Sequence, residues 1–506
     1  MELLSPLSLI FIFACIFLAL FITQNLSNPH KSLKNLPPGP WKLPLLGNIH
    51  QFVGALPHQT LRNLANKFGP LMHLQLGETS HIIVSSADIA KEVMKTHDAI
   101  FANRPHLIAS KFFVYDSSDI VFSSYGKTWR QLKKICVSEL LHAKHAQSLR
   151  CIREEEVAKL VRNVCAHEGS IVNLTKEIES VMNAIIARTS NGKRCKDQEA
   201  FISTMEQMLQ LLGGFSIADF YPSIKVLPFL TGMKSKLEKA QRENDNILEN
   251  MVKDHKEKNM NNHKEMQEDF IDVLLKTQKR KDLEIPFTHN NIKALIWDMF
   301  VGGTAAPAAV VEWAMSEVMR NAEVMEKAQS EVRKVFNEKG FVDEAEVGEC
   351  EYLNSVIKET MRLHPPEALL VPRENSEACV MNGYEIPAKS KVIINAWAIG
   401  RDPTYWNEAE RFVPERFVES CYDFSGTHFE YIPFGAGRRI CPGAAFSVPN
   451  MTLLLANLLY HFSWKLPNGT THQAFDMAES FGLTVRRAND LCLIPMAYHP
   501  STIANH

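Results

Sequence analysis

The stretch that decides the fold reads Phe434-Gly435-Ala436-Gly437-Arg438-Arg439-Ile440-Cys441-Pro442-Gly443. Its three glycines permit close backbone approach and positive φ angles around a single cysteine. Pro442 removes one backbone donor directly after the sulfur, and Arg439 lies two residues before it. The chain has 10 cysteines, and each of the others stands alone, where the usual role is that of a small buried hydrophobic side chain. We therefore assign the chemistry of this stretch to Cys441.

Length and composition place the chain among ordinary globular proteins. Its 506 residues are 45% hydrophobic and 22% charged, which excludes a disordered or collagen-like chain. The 55 basic and 57 acidic side chains give a net charge of −2, so no general excess of positive charge is available to bind nucleic acid. Ten cysteines are too few for a disulfide scaffold, and the zinc-ribbon spacing C-x-x-C does not occur.

The amino-terminal part of the chain differs in composition from the rest. Residues 3–22 are almost wholly apolar, and 20 helical residues at ~1.5 Å each match the ~30 Å hydrocarbon core of a bilayer. A cleaved signal peptide is the alternative. The acidic start, the length of the apolar run, and Lys31 and Lys34 after it favour a retained single-pass anchor with a cytosolic body. We expect residues 1–24 to form this anchor and the basic, proline-rich residues 25–48 to form a hinge.

The remaining residues, 49–506, are expected to form one mainly helical domain with small β-sheets. Alternation around a central glycine predicts a β-hairpin over residues 71–85. Thr288, with Asn291 three residues later, predicts the start of a long helix. The charged run over residues 253–269 predicts an exposed connection. Amphipathic periodicity predicts further helices near residues 152–165, 201–212, 237–257 and 321–337.

The stretch around Cys441 matches the pattern F-x-x-G-x-R-x-C-x-G and resembles the haem-binding loop of the cytochrome P-450 superfamily. In that family the cysteine thiolate is the axial ligand of the haem b iron and donates electron density that favours O–O cleavage. The resemblance therefore implies a cytochrome P-450 fold, with Cys441 as the metal ligand. It also implies that Phe434, Gly437 and Gly443 contact the cofactor.

Three further motifs carry the same resemblance. Glu359 and Arg362 form an E-x-x-R motif, which in the family joins a second arginine, here Arg416, in a buried network. Trp129 and Lys133, four residues apart on one helix, match residues that face the haem propionates. Lys133 stands where arginine is more usual, which keeps the charge but loses the bidentate fork. The resemblance implies the same contact to the propionates for two arginines, Arg373 and Arg439.

The long helix departs from the family pattern at its centre. The family has an acid and an alcohol there, which manage protons during dioxygen activation. In this chain the two positions are Ala305 and Ala306, and alanine supplies neither contact. The neighbouring glycines of the distal site are retained as Gly302 and Gly303. Pro307 cannot donate to the Gly303 carbonyl, which is left free to hold water.

Three accounts of this departure remain open. A water chain or a hydroxyl of the substrate replaces the missing groups, and the protein is an ordinary monooxygenase. Alternatively, oxidation is coupled to dehydration, ring formation or rearrangement. In the third account the protein is an isomerase or peroxide-using enzyme that needs no reductase, or a haem protein without catalysis. The intact cysteine loop argues against the hydroperoxide-rearranging relatives, in which this loop is typically altered.

The resemblance also implies where the substrate binds. By family position, a mainly apolar pocket is formed by Phe112, Phe113, Leu369, Leu370, Val371, Phe481 and Leu483. Such a pocket, with few polar anchors, suits a terpenoid. Arg104 and His106 are expected to lie at the surface, and the alternative is that they anchor a carboxylate or lactone of the substrate. Over its whole length the chain is similar to plant endoplasmic-reticulum enzymes of the A-type group, the seventy-one clan, which includes oxidases of sesquiterpenes, diterpenes and some indole alkaloids.

The expected activity is oxidation of a small apolar plant metabolite with dioxygen and NADPH. A sesquiterpenoid or another terpenoid is the expected substrate, and an alkaloid is the alternative. NADPH is not bound by this chain; electrons come from NADPH–cytochrome P-450 reductase, which basic residues on the cysteine side would attract. These residues are Lys127, Arg130, Lys133, Lys134, Arg438 and Arg439. We expect a monomer on the cytosolic face of the endoplasmic reticulum membrane.

Overall fold

The computed structural model describes residues 35–195, 198–261, 268–469 and 471–499. The predicted anchor and the first part of the predicted hinge lie outside these residues. Within them, 17 α-helices and 11 short strands confirm a mainly helical fold with small sheets.

Helices make up most of the regular structure. In the first half of the chain they are α1 (Pro57–Phe68), α2 (Ala87–Lys91), α3 (Ile108–Phe113), α4 (Lys127–Ile135), α5 (Ala143–Ser148), α6 (Arg150–Cys165), α7 (Leu174–Asn191), α8 (Gln198–Leu211), α9 (Ile217–Phe220), α10 (Leu227–Leu230) and α11 (Met233–Asn261). In the second half they are α12 (Phe270–Gln278), α13 (His289–Arg320), α14 (Ala322–Phe336), α15 (Glu351–Leu363), α16 (Ala396–Ile399) and α17 (Ala444–His461). The four amphipathic helices predicted from periodicity are confirmed as α6, α8, α11 and α14.

The strands form four small sheets. They are β1 (Leu71–Leu76), β2 (Thr79–Val84), β3 (Val172–Asn173), β4 (Arg373–Glu374), β5 (Cys379–Met381), β6 (Tyr384–Ile386), β7 (Lys391–Ile394), β8 (Phe462–Lys465), β9 (Glu479–Ser480), β10 (Arg486–Arg487) and β11 (Cys492–Ala497). The largest sheet has the order β1-β2-β7-β4, a second has the order β3-β11-β8, and β5-β6 and β9-β10 are two-stranded.

The hairpin predicted over residues 71–85 is confirmed as β1 and β2. The two strands pair antiparallel, with Leu71 opposite Val84 and Leu76 opposite Thr79. Gly77 makes the turn with a positive φ of 58°, which glycine adopts without strain. Strand β2 then pairs parallel with β7, and β7 pairs antiparallel with β4. This order places Arg373 of β4 at the edge of the sheet.

The long helix α13 runs through the core of the protein. It begins as predicted, because Thr288 and Asn291 form a reciprocal capping box at its amino-terminal end. Among the described residues it is the one helix long and apolar enough to cross a bilayer, but 83% of its most apolar window is buried inside the protein. Its length and apolarity therefore reflect a core helix. At Gly303 it packs so closely on α7 that an added Cβ would lie 2.2 Å from Cδ1 of Ile186.

The charged run over residues 253–269 was expected to form an exposed connection, and the described part of it corrects this expectation. Helix α11 continues through the run as far as Asn261. His255 and Asp269 are both buried, and the His255 Nε2 to Asp269 Oδ2 distance is 2.7 Å. The charged character of the run hid the helical periodicity, because a helix with one buried face presents its other charges to solvent.

Candidate active site

Helix α13 and the loop that carries Cys441 face each other across an internal cavity. The cavity and its opening to solvent together contain about 1430 Å³ of space free of protein atoms. On the helix side it is lined by Gly302, Ala306 and Pro307, and on the loop side by Phe434 and Cys441. The structure therefore brings the distal and proximal residues predicted from sequence to one site.

The Cys441 sulfur lies at the amino-terminal end of helix α17. The loop is closed by the Cys441 backbone N–H, which donates to the Phe434 carbonyl at 2.9 Å. The Gly443 N–H points at the sulfur at 3.4 Å. Desolvation by the surrounding protein raises the pKa of the Cys441 thiol to about 11, against the lowering effect of this N–H group and of Lys133. A thiolate at this position is therefore stabilised mainly by a cation bound to the sulfur itself.

Two glycines of the loop are required by the backbone. Gly435 and Gly437 both have a positive φ of 69°. At Gly437 a Cβ would lie 2.0 Å from the Met94 carbonyl oxygen, so no larger residue fits. Gly443 differs from the prediction of a positive φ, because its φ is −88° and it serves as the residue before α17. Its bare Cα instead leaves room beside the sulfur.

Three buried arginines surround one side of the cavity. Arg104, Arg373 and Arg439 all line it, so Arg104 is not the surface residue expected from sequence. Arg373 contacts Asp98 at 3.2 Å, and Arg439 donates to the Ala102 carbonyl at 2.7 Å. Burial lowers the pKa of Arg104 well below its usual value, and repulsion from the other two guanidinium groups lowers it further. Asp98 balances one of these charges, whereas Arg104 donates, among the described residues, only to backbone carbonyl groups, so the cavity suits an anionic group.

Trp129 and Lys133 of α4 lie beside these arginines. The Arg439 guanidinium carbon is 4.4 Å from the centre of the Trp129 ring, and Lys133 Nζ is 5.2 Å from it. Lys133 Nζ also donates to the carbonyl oxygens of Arg438 and, at 3.4 Å, Ile440. Lys133 therefore holds the cysteine loop as well as lining the cavity.

Residues 118–123, between α3 and α4, connect the two sides of the site. The Asn291 side chain of α13 donates to the Ser118 carbonyl at 2.9 Å. The Ile120 carbonyl accepts from Trp129 Nε1 at 3.0 Å and from Arg439 Nη1 at 3.3 Å. A single stretch of backbone is thus fastened both to the distal helix and to the cysteine loop.

The E-x-x-R residues form the buried network that the sequence implies. Arg362 donates to both carboxylate oxygens of Glu359, at 2.6 and 2.7 Å, and both side chains are 0% exposed. Arg416 Nε donates to Glu359 Oε1 at 3.1 Å. Arg362 also donates to the carbonyls of Gly400 and Ala409, at 2.6 and 2.7 Å. The charged atoms of the buried pair are therefore all hydrogen-bonded, which a buried ion pair requires.

The predicted substrate residues divide into two groups. Leu370, Val371 and Leu483 line the cavity. The other four do not line it, which corrects the prediction for Phe112, Phe113, Leu369 and Phe481. Leu370 has a positive φ of 48°, and this turn sends neighbouring side chains in different directions.

The four residues outside the cavity pack elsewhere. Phe113 is buried in the main helical core, and Phe112 packs against the same core. Leu369 joins a smaller apolar cluster next to the β1–β2 hairpin. Phe481 stacks at 6.0 Å, centre to centre, on the ring of His58. These segments are too short for the sequence to show which of their faces lines the cavity. Packing against elements distant in the sequence decides which face does.

The two alanines at the centre of α13 have different surroundings. Ala306 lines the cavity, whereas Ala305 is buried and does not line it. Gly302 also lines the cavity, while Gly303 faces Ile186 on α7. In the alignment with the family pattern that the sequence predicts, the position of the missing alcohol is Ala306, which therefore lies on the cavity surface.

Sequence reasoning missed two carboxyl groups in the cavity, those of Asp298 and Glu367. Asp298 Oδ2 accepts the Ile120 N–H at 2.9 Å. Glu367 Oε1 accepts from the Thr484 hydroxyl at 3.3 Å, and burial raises the pKa of Glu367 to about 7. An acidic residue inside an otherwise apolar run is the signal that could have found both.

The cysteine loop, the buried E-x-x-R network and the core helix are features of the cytochrome P-450 family. The sequence model of that family, Cytochrome P450, matches residues 37–492 of this chain. The chain belongs to the cytochrome P-450 family. It is 54% identical over 505 residues to cytochrome P-450 71D10 of Glycine max, which covers 98% of each chain. It is 49% identical over 486 residues to premnaspirodiene oxygenase of Hyoscyamus muticus, which covers 95% of this chain and 97% of the relative.

A solved structure supports the same fold. A zebra fish cytochrome P-450 in complex with abiraterone superposes with a TM-score of 0.75 and covers 88% of this chain and 99% of its own. The two sequences are 21% identical, so this likeness concerns the fold alone. The family match and the 54% identity to a plant relative, and not this solved structure, make the protein a haem-thiolate monooxygenase of the plant seventy-one clan.

The residues of this cytochrome P-450 fit haem. The sulfur of Cys441 faces the cavity at a helix amino-terminus, and three buried guanidinium groups, of which one is paired with Asp98, favour an anion there. Haem offers both an iron for the sulfur and two carboxylates for the arginines. Cys441 would bind the iron, and Trp129 and the three arginines would hold the propionates. When bound, haem supplies the activation of dioxygen.

Proposed function

We propose that this cytochrome P-450 oxidises a small apolar plant metabolite, most simply a terpenoid, with dioxygen and electrons from NADPH. The observation that carries the proposal is the large apolar part of the lining of the cavity that Cys441 also lines. The residues of this apolar part are Val114, Val121, Phe122, Leu212, Val301, Val310, Leu370, Val371 and Leu483. An apolar pocket binds a hydrocarbon skeleton because binding buries apolar surface of both. The two carboxyl groups are then among the few polar groups that can orient the substrate. The similarity to premnaspirodiene oxygenase supports this substrate class.

The residues take the following roles in the proposal. Cys441 ligates the iron, while Phe434 and Gly437 shape the loop and Gly443 leaves space beside the sulfur. The guanidinium groups and Trp129 hold the propionates, and Lys133 fixes the loop carbonyls. The network of Glu359, Arg362 and Arg416 keeps the proximal side rigid.

The second part of the proposal concerns the product. Ala306 presents a methyl group where the family has an alcohol, so water in the space beside Gly302, or a hydroxyl of the substrate, supplies hydrogen bonds instead. A substrate that takes part in proton transfer in this way can also lose water or close a ring after oxidation. We therefore include dehydrated, cyclised and rearranged compounds among the expected products.

We further propose a membrane location and a redox partner. Residues 1–24 would anchor the protein as a monomer in the endoplasmic reticulum membrane, residues 25–48 would be the hinge, and residues 49–506 would be the catalytic domain on the cytosolic face. NADPH–cytochrome P-450 reductase would dock on the cysteine side. The exposed basic residues there are Lys127, Arg130, Lys134 and Arg438, whereas Lys133 and Arg439 turn inward.

The testing experiment is product analysis by mass spectrometry. Microsomes that contain this protein and the reductase are given sesquiterpenoids, diterpenoids and alkaloids, with and without NADPH. We expect a terpenoid product that requires NADPH and gains one oxygen atom, or its dehydrated or cyclised derivative. The Cys441→Ala variant is the control and should form no product. Turnover without NADPH would contradict the monooxygenase proposal and favour an isomerase, and exclusive turnover of alkaloids would contradict the substrate class.

A further inference from the structure

Two buried carboxyl groups from separate elements meet beside the cavity. Asp119 is 0% exposed, and its Oδ2 accepts the N–H groups of Val121, at 3.1 Å, and Phe122, at 2.9 Å. Its Oδ1 has no hydrogen-bond partner among the described residues. Asp298 of α13 accepts the N–H of the intervening Ile120 through Oδ2 and lines the cavity. Three consecutive peptide N–H groups thus hold the two carboxyl groups, that of Ile120 holding Asp298 and those of Val121 and Phe122 holding Asp119.

The surroundings of this pair keep a proton on it. Burial and the charge of Asp119 raise the pKa of Asp298 well above its usual value. Burial raises the pKa of Asp119 to about 6, although its backbone hydrogen bonds and Arg439 act in the opposite direction. Cys136, after α4, also faces Asp298, and its thiol is neutral because burial raises its pKa. Because two buried carboxylates cannot both be ionised without a large cost, and the charge of Asp119 raises the pKa of Asp298, we expect the pair to retain one proton.

A groove along α13 leads from this pair to the site of chemistry. Asp298, Gly302 and Ala306 follow one another at intervals of four residues and all line the cavity. Two such intervals span ~12 Å of helix. No described atom other than the helix's own backbone lies within 4 Å of the position where a Cβ of Gly302 would be, which leaves space for water. Pro307 lacks the N–H that would occupy the Gly303 carbonyl in a regular helix.

We propose that Asp298, paired with Asp119, holds the proton that this enzyme delivers in place of the acid and alcohol missing at Ala305 and Ala306. The proposal rests on the monooxygenase function proposed above. Two protons and two electrons are needed for one oxygen atom to leave as water. For each proton, the O–H bond of the Asp298 carboxyl group breaks and the proton passes along water in the groove to that oxygen atom, and the carboxylate takes a proton from solvent before the second transfer. The electrons come from NADPH through the reductase. The Asp298 carboxylate keeps the Ile120 hydrogen bond and regains a proton from solvent.

The first test does not depend on turnover. Infrared spectra of the purified full-length holoenzyme at pH 7 should contain the carbonyl stretch of a protonated, buried carboxylic acid. Glu367, whose pKa is about 7, contributes a second component to this band. The component that belongs to Asp298 should vanish in Asp298→Asn and shift in Asp119→Asn, while Asp245→Asn, which removes a carboxylate that binds Lys293 outside the cavity, should leave it unchanged. A band identical in the wild type and in Asp298→Asn would contradict the proposal. Absence of the band from the wild-type spectrum would overturn the proposal.

The second test measures how much of the consumed NADPH appears as product. In Asp298→Asn the product formed per NADPH should fall about tenfold, because a positioned proton donor contributes at least this much, and hydrogen peroxide should rise to match. The amide introduced by this substitution keeps an acceptor for the Ile120 N–H, so the carbon monoxide difference spectrum should show a folded haem protein. Adding Ala306→Thr, which restores the alcohol, should recover most of the lost product in the Asp298→Asn background.

Three outcomes separate the proposals. Unchanged product per NADPH in Asp298→Asn would overturn proton delivery by this residue. Weakened binding of substrate in spectral titration, with the product per NADPH retained, would overturn it as well, because Asp298 would then be a substrate anchor. Failure of the proposed function would appear differently, as a wild-type enzyme that forms no oxygenated product although its infrared band is present.

Discussion

At the scale of single residues, the contribution of an ion pair to the stability of this enzyme depends on whether the pair is buried. Two pairs illustrate the point, because both join a glutamate to an arginine three residues later. Glu359 and Arg362 are 0% exposed and bidentate, while Glu408 and Arg411 are 51% and 68% exposed. An ion pair in water contributes little, whereas removal of one partner from a buried pair leaves the other charge uncompensated.

The matched pair gives a direct prediction. Arg362→Gln should lower the free energy of unfolding by about 3–5 kcal/mol, because the Glu359 carboxylate would be left buried with only Arg416. Arg411→Gln should change it by less than about 1 kcal/mol. Apparent unfolding temperatures of the two variants, measured on holoenzyme at equal protein concentration, check this. Equal losses in both variants would contradict the argument from burial.

Residue identities at the proximal site could be predicted from sequence, and those at the distal site only in part. Cys441 and Glu359 lie in motifs whose spacing along the chain is fixed by local geometry. Asp298 and Glu367 lie in no such motif, and their burial and hydrogen bonds depend on partners far away in the chain. The Ile120 N–H that holds Asp298 is 178 residues distant. Such a partner is set by the tertiary fold and has no local signature.

At the scale of elements, the contact between α13 and α7 is decided by one glycine. The position where Gly303 would carry a Cβ lies 2.2 Å from Cδ1 and 2.7 Å from Cγ1 of Ile186. Gly302, one residue earlier, has no such neighbour among the described residues. The two adjacent glycines are therefore retained for different reasons, the first for space beside the cavity and the second for helix packing.

This difference predicts opposite effects of the same substitution. Gly303→Ala should cost about 1–3 kcal/mol of stability through overpacking, whereas Gly302→Ala should be neutral or stabilising, since alanine is the better helix former. Ile186→Ala alone leaves a cavity and should cost about 2–5 kcal/mol. The double variant Gly303→Ala/Ile186→Ala should lose clearly less stability than the sum of the two single losses. The reason is that the new methyl group at residue 303 occupies part of the cavity left by Ile186→Ala. Thermal unfolding of the four proteins checks the cycle, and strict additivity would contradict it.

Long elements with a clear period were predicted well, and short ones were not. The hairpin and α13 follow from alternation and from a capping box, both local signals. Phe112 lies in the six-residue helix α3, and Phe481 lies next to the two-residue strand β9. Elements this short carry too few residues to fix which face is buried.

At the scale of the whole molecule, stability depends on pH through a buried histidine. His255 of α11 donates to the Asp269 carboxylate, which also caps α12, so the pair ties two helices together across residues 262–267. Asp269 raises the pKa of His255 above its usual 6.5, despite burial, which acts to lower it. A raised pKa means that the pair contributes fully below about pH 6.5, and that this contribution is lost as pH rises through the pKa of the folded state.

We expect the difference in unfolding temperature between the wild type and His255→Gln to depend on pH. The unfolding temperature of the wild type should exceed that of His255→Gln most clearly below about pH 6.5, and the gap should shrink as the pH rises toward about 9. In the Asp269→Asn background the gap should no longer be largest at low pH, because the neutral amide cannot favour the protonated imidazole and burial disfavours it. A gap that widens with rising pH would contradict a raised pKa for His255.

The backbone over residues 118–123 has a consequence for the recombination of related enzymes. This one segment binds Trp129 and Arg439 on the cofactor side and Asp298 on the substrate side. A chimaera that exchanges it alone to change substrate preference would also disturb Arg439, the arginine that we propose holds a haem propionate. Preference and cofactor retention are thus inherited together, and a successful exchange would need to carry the facing turn of α13 along with the segment.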